Sequence, residues 1–437
     1  MTRPSMINQR IPTLLGLAIL LSAVSWAMFP VLTPQDQLLK DSELKKLSQS
    51  FSEYIEARID EKGVSAATGD VTQNMEKLQR KLAKTAAQGD ILASPADLGR
   101  AIWLSYDYGR NRPKRGKVAE REFVGSVFSK ENPLVYAVWA PAKYSASAGP
   151  YPLVISIPDE GVRPVDHLRD HWTEGAVQEG AILASPAMPE DAAGWSGREG
   201  IGRVIVLMRA IYEEYGVDFD RIYLAGHGLG VSTALGIAEK FPDRFAGVIG
   251  RGGDAGEVAP SNFQNLPTYF AGGGGQVTKF EEGVGSLGYN NCTVQPGGLT
   301  ADIWNWIGTV KRDSYPSQVT LIPGSPFPKR AYWLEVPPSE GGSSRIHAQV
   351  DRGTNTITVE GSGMTDFTLH LNDVLLDMNK PIVVIANGQR HEDLVPRSRA
   401  VVLASLFSGA CDPGRVFVNA KSYHLPHLAA DPGDEGK

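Results

Sequence analysis

The chain has 437 residues, of which 42% are hydrophobic and 21% charged, and its formal net charge is −6. That length and apolar content suit two or three domains of about 150 residues each, and exclude a disordered protein and a polytopic membrane protein. The acidic balance gives no electrostatic reason for a nucleic-acid partner, and two cysteines are too few for a Cys-based zinc module or a disulfide scaffold.

Residues 1–33 read as a signal peptide or a membrane anchor. Arg3 and Arg10 give a basic start, and no charge follows over residues 11–35. The apolar centre is residues 14–21, and Ser25 and Ala27 supply small side chains where a signal peptidase reads them. Cleavage is the preferred reading; the rival is an uncleaved anchor, since residues 11–33 just suffice to span a bilayer. Either way the remainder is expected outside the cytoplasm: periplasmic, secreted or membrane-anchored with its domains outside. Export permits a Cys292–Cys411 disulfide, with two free thiols as the alternative.

Residues 34–115 form a helical segment. Leu38, Leu44, Leu47, Phe51, Tyr54, Ile55 and Ile59 recur at helical spacing, Gly63 and Gly69 mark a break, and Met75, Leu78 and Leu82 begin a second helix. Ser94 before Pro95 reads as an N-cap with proline at the first helical position. Packing of these helices on the main body is preferred over a partner-binding hairpin.

Residues 116–325 change period. Short β-branched and aromatic runs at 123–128 and 134–139 suggest an antiparallel pair. Continuous apolar runs at 153–157, 181–184, 221–225, 247–250, 268–271 and 319–322 alternate with helical patterns, clearest at 201–215. Buried strands alternating with helices give an α/β class, with a mostly parallel sheet covered on both faces. Residues 326–437 read as a β-rich C-terminal unit ending in a polar tail. Asn387-Gly388 after the apolar run 381–385 is a two-residue hairpin signal.

The most informative stretch runs from Arg221 through Gly226, His227, Gly228, Leu229 and Gly230 into an apolar helix. It has the strand–turn–helix context and spacing of the G-x-S-x-G nucleophile elbow. With its flanks, Asp218 and Asp220 upstream and Pro242-Asp243-Arg244 downstream, it resembles the α/β-hydrolase superfamily. The nearest kind is the secreted bacterial esterase of the polyhydroxybutyrate-depolymerase or prolyl-oligopeptidase-like type, and the likeness is best over residues 130–322. The resemblance implies a nucleophile at position 228, which is Gly. It implies an acid after the run 268–271, where the loop holds no Asp and only Asp254 stands one strand earlier. It implies a base after 319–322, where there is no His. The oxyanion loop after residue 157 reads Pro158-Asp159-Glu160-Gly161, whose carboxylates oppose the usual stabilisation.

Other candidates are weaker. His167 and His171 share a helical face and resemble a zinc pattern, without a third ligand. Ser196 sits in a Gly-rich loop without elbow context, Ser232 lies inside the helix after the turn, and His424 and His427 flank Pro426 near the tail. No cofactor is implied. The expectation is a catalytically silent hydrolase-fold protein, leaning away from an enzyme, that binds an unknown small molecule or protein partner. The alternatives are a serine-type ester or peptide hydrolase with a relocated site, in which a histidine such as His347 or His391 could reach the turn, and a structural subunit of a cell-envelope assembly.

Overall fold

Helical periodicity produces α1 (Asp41–Asp60), α2 (Val64–Thr85) and α3 (Pro95–Leu104) at the start of the computed structural model, with acidic first turns in α1 and α3. The model describes residues 38–427 apart from 86–88, 107, 109–114, 126, 190–193, 197, 325, 338–343 and 408–410. The signal or anchor segment and the polar tail therefore lie outside the described residues. No described helix is long and apolar enough to cross a membrane. Ser94 caps α3 as its sequence suggests, accepting from the Asp97 amide at 3.3 Å. Asp97 in turn accepts the amides of Leu38 and Leu39, at 2.7 and 3.2 Å, and so ties the start of the described chain to α3. Gly69 does not break α2; it lies within the helix with open space beside it.

The main body is built from β1 (Ala119–Phe123), β2 (Leu134–Trp139), β3 (Tyr151–Ile157), α4 (Pro164–His171), α5 (Thr173–Glu179), β4 (Ile182–Pro186), α6 (Arg198–Glu214), β5 (Val217–His227), α7 (Gly230–Lys240), β6 (Gly247–Arg251), β7 (Thr268–Ala271), α8 (Gly275–Ser286), β8 (Cys292–Gln295) and α9 (Thr300–Thr309). Its eight strands take the order β1-β2-β4-β3-β5-β6-β7-β8. The pairs β1/β2 and β2/β4 are antiparallel, and every pair from β4 to β8 is parallel. This is the α/β-hydrolase-like architecture, with helices on both faces. Alternation along β3 sends Leu153, Ile155 and Ile157 into one core with Leu207 and Leu235, and Val154 into the other with Leu168, Trp172 and Trp304. Each such side chain contributes about 1.5–3 kcal/mol of burial, which fixes the register of the central strands.

The C-terminal unit contains β9 (Gln318–Leu321), β10 (Arg330–Ala331), β11 (Leu334–Glu335), β12 (Arg345–Asp351), β13 (Thr356–Ser362), β14 (Asp366–Leu371), β15 (Ile382–Ala386), β16 (Gln389–Asp393), α10 (Arg399–Phe407) and β17 (Asn419–His424). Asn387 and Gly388 both have positive φ, 44° and 83°, and make the two-residue turn between β15 and β16. Two expectations change. Residues 319–322 do not extend the parallel sheet: β9 pairs antiparallel with β12 in a five-stranded C-terminal sheet, and the last strand of the main sheet is β8. The apolar run from Arg399 is a helix, not part of the β framework. The N-terminal helices pack here, with Leu44, Leu47 and Phe51 sharing one core with Trp333, Leu369 and Leu403.

Candidate active site

Six parallel strands, β3–β8, end on the same edge of the sheet, and the site lies along it. At the end of β5 the chain turns through Gly228, whose φ of +55° lies in the left-handed region. The Gly228 amide donates to the Arg251 carbonyl at 3.1 Å, which pins the turn to β6. Gly226 and Gly230 are forced by close approach: a Cβ on Gly226 would lie 2.2 Å from the Gly230 carbonyl oxygen, and one on Gly230 would lie 2.5 Å from that of Ile157.

The side chains that meet are contributed from the other side of the turn. Ser156 is the one hydroxyl in the apolar run 153–157 of β3, on the face that carries Val154, and is fully buried. An isolated hydroxyl among apolar neighbours needs a partner. It finds His167 on α4, whose Nε2 lies 2.7 Å from Ser156 Oγ. Pro164 at the first turn of α4 and the short loop after β3 place the two residues face to face. His167 Nδ1 is buried without a hydrogen-bond partner. In the tautomer with its proton on Nδ1, Nε2 accepts the seryl proton. Burial, then His171, His227 and Arg251, holds the His167 imidazole down at about 3, so it is neutral at pH 7 and able to accept.

This hydrogen-bonded Ser–His pair corrects the expectation of a catalytically silent site, and with it the leaning away from an enzyme. In the order that the resemblance implies, the base lies downstream of the turn. The pair instead lies upstream, on one strand–loop–helix unit. Ser156 is in register with Ala225, three residues or roughly 10 Å below Gly228 along the strand.

The other singled-out residues are placed as follows. His227 stacks on His171, with centroids 4.5 Å apart and 25° between planes, and meets His167 edge-on at 5.9 Å. Burial, followed by neighbouring positive charge, lowers both the His171 and His227 pKa values. The Arg251 guanidinium lies over the Trp172 ring, donates to the His171 carbonyl at 2.9 Å and to Thr300 Oγ1 at 3.0 Å. Stacked rings do not converge on one point, and among the described residues no group of three or more His, Cys, Asp or Glu side chains could hold a metal ion. Asp254 accepts the amides of Ala255 and Val277, at 2.9 and 3.0 Å, and serves the start of α8. Ser196 lies in a short turn after β4, and its side chain is outside the described residues. Ser232 Oγ donates to the Leu229 carbonyl within the first turn of α7. His347 bonds Thr320 and His370 bonds Glu335, both within the C-terminal unit, and His391 packs on Tyr423 there. His424 faces Asp366 at 3.7 Å. Cys292 and Cys411 are free thiols, on β8 and after α10 respectively, so the disulfide weighed from the sequence is not formed. The loop after β8 holds Leu299, which is exposed, and no His.

No protein-family model matches the chain, and no curated protein matches it either. Solved structures similar to it include a thermostable esterase, 16% identical with a TM-score of 0.38, covering 45% of this chain and 63% of that one. A ferulic acid esterase matches at 12% identity and a TM-score of 0.37, over 44% of this chain and 96% of its own. The CE1 ferulic acid esterase of the anaerobic fungus Anaeromyces mucronatus, solved without substrate, matches at 16% and 0.35, over 46% and 95%. The chain thus spans less than two thirds of the thermostable esterase it matches.

Proposed function

We propose that the chain is a serine-type ester or peptide hydrolase whose reactive pair is relocated to Ser156 and His167. The observation that carries this reading is the 2.7 Å contact between Ser156 Oγ and His167 Nε2. As Ser156 Oγ bonds to the acyl carbon, its proton passes to His167 Nε2. The carbon–leaving-group bond then breaks and the leaving alcohol or amine takes that proton. Water, deprotonated by the same nitrogen, releases the acyl group from Ser156. Since His167 Nδ1 has no carboxylate partner, the unit is a dyad, and the low basicity of its imidazole makes slow turnover the expected regime. Val162 and Leu229 stand exposed on the loops after the neighbouring strands β3 and β5 and favour an apolar acyl group. Both members of the pair are closed off from solvent, so substrate entry requires the elements packed over them to open. An exported location, read from Arg3, Arg10 and the uncharged run that follows, belongs to the same proposal.

The test is hydrolysis of short acyl esters across pH. A base that stays neutral down to about 3 keeps its acceptor through the whole range above that value. The expected kcat/KM therefore changes by less than about twofold between pH 7 and pH 5. A fall centred near 6.5 would assign the base to an ordinary exposed imidazole, and turnover no faster than a denatured control would end the proposal.

A further inference from the structure

We propose that Arg251, with His171 and His227, forms a carboxylate-binding subsite beside the Ser156–His167 pair, and that the substrate's leaving group carries a free carboxylate; the second half rests on the reading of that pair as reactive. Arg251 ends β6, in register with His227 at the end of β5. His171 ends α4 and stacks on His227. The three side chains meet where the parallel strands finish, and each is only half-buried.

The cluster is rich in donors and lacks an anion. A guanidinium carries five N–H donors. Arg251 directs two of them to neutral acceptors, the His171 carbonyl at 2.9 Å and Thr300 Oγ1 at 3.0 Å. Its Nε has no hydrogen-bond partner among the described residues, and neither has a ring nitrogen of His171 or His227. No carboxylate among the described residues pairs with Arg251, and burial alone lowers its pKa. The nearby acids are engaged elsewhere. Asp170 pairs with Arg169 at 2.8 Å, Asp159 accepts the Leu229 amide at 2.9 Å, and Asp302 accepts the Leu299 amide at 3.0 Å. Since α9 begins at Thr300, the positive end of its dipole adds to the same uncompensated charge. A cation drawn partly out of water without a counter-ion is costly, and a ligand anion removes that cost.

The charge of the cluster selects the ligand. Both rings, lowered first by burial, are neutral at pH 7, so the cluster carries one positive charge. One planar fork with one charge matches a carboxylate, which it holds bidentately. A phosphate dianion would leave one negative charge unmatched. Val162 and Leu229 follow β3 and β5, whereas Arg251 ends β6, the next strand in the sheet. The apolar acyl group and the carboxylate therefore occupy opposite ends of the ligand, and the carboxylate falls on the leaving alcohol or amine. His227 meets His167 edge-on at 5.9 Å, which sets the cluster against the reactive imidazole.

Binding is tested on the full-length protein with hexyloxyacetate, an ether with no acyl bond to break, and with its neutral amide, hexyloxyacetamide. By titration calorimetry the wild type should bind the acid at least about tenfold tighter than the amide. Arg251→Gln should erase the difference. Arg251→Lys, which keeps the charge without the fork, should retain part of it. Hydrolysis is followed with O-hexanoylglycolate and O-hexanoylglycolamide, and kcat/KM should favour the acid by a similar factor. Equal affinity of the wild type for acid and amide overturns the subsite, with no variant needed. Displacement of hexyloxyacetate by an equal concentration of inorganic phosphate overturns its assignment to a carboxylate. Preferential binding without hydrolysis of either ester supports the subsite and ends the serine-hydrolase reading. Hydrolysis of both esters at one rate leaves that reading standing and overturns the carboxylate's place on the substrate.

Discussion

Arg312→Leu lowers the free energy of unfolding by about 3–5 kcal/mol, the cost of leaving buried carboxylates without their cation. Arg312 follows α9 and is almost fully buried between the two main parts of the fold. Its Nε and Nη2 reach Asp220 of β5 at 3.0 and 2.8 Å. Its Nη1 and Nη2 reach Asp412, beyond α10, at 2.6 and 3.0 Å. Nη1 also donates to the Asp243 carbonyl at 2.9 Å, and the Asp243 side chain in turn pairs with Arg415. One guanidinium thus satisfies acceptors from the main sheet, the loop after α7 and the C-terminal unit. Leucine keeps much of the volume and none of the donors. The planar fork is essential to this geometry, so Arg312→Lys recovers only part of the loss. Total stabilities run to about 5–15 kcal/mol, so the leucine variant should show a visibly lower urea midpoint. A loss under about 1 kcal/mol would mean that the network is not closed as described.

The second large effect is a dependence of stability on pH that originates at His167. Its imidazole is held at about 3 in the folded chain, first by burial and then by His171, His227 and Arg251, against an unfolded value near 6.5. Between those two values the unfolded chain binds a proton at this position and the folded chain does not. Stability is therefore complete above pH 6.5 and falls as the pH drops towards 3. The slope approaches about 1.4 kcal/mol per pH unit inside the window, a few kcal/mol in all. His171 and His227 are lowered as well and act in the same direction. Urea titrations at pH 7, 6, 5 and 4 should show a steeper decline for the wild type than for His167→Gln, whose side chain does not titrate. Parallel curves would place the His167 ring in contact with solvent.

What the sequence carried, and what it hid, follows from the range of each interaction. The Asn387-Gly388 hairpin, the Ser94 cap and the Gly226–Gly230 turn are decided by backbone geometry over a few residues, and all three are legible. The sheet to which residues 318–321 belong is not, because a short β-branched strand reads the same whichever neighbour it pairs with. Likewise Val401, Val402 and Leu403 favour a strand locally, and the surrounding core makes them a helix. The Ser156–His167 pair departs from the order that the resemblance implies, in which the base follows the turn. A signal was present: Ser156 is a lone hydroxyl in the apolar run of β3, and a buried hydroxyl demands a partner. His167, eleven residues on, stands out in the sequence for its helical spacing to His171. The Asp159 carboxylate, by its charge an obstacle to oxyanion binding, lies on the Leu229 amide itself.

The most direct test of the relocated pair is to treat the full-length protein with an alkyl fluorophosphonate, digest it and locate the adduct by tandem mass spectrometry. A single adduct on Ser156, lost in Ser156→Ala and slowed in His167→Gln, is the expected result. An adduct on any other serine, or none in the wild type, would contradict it.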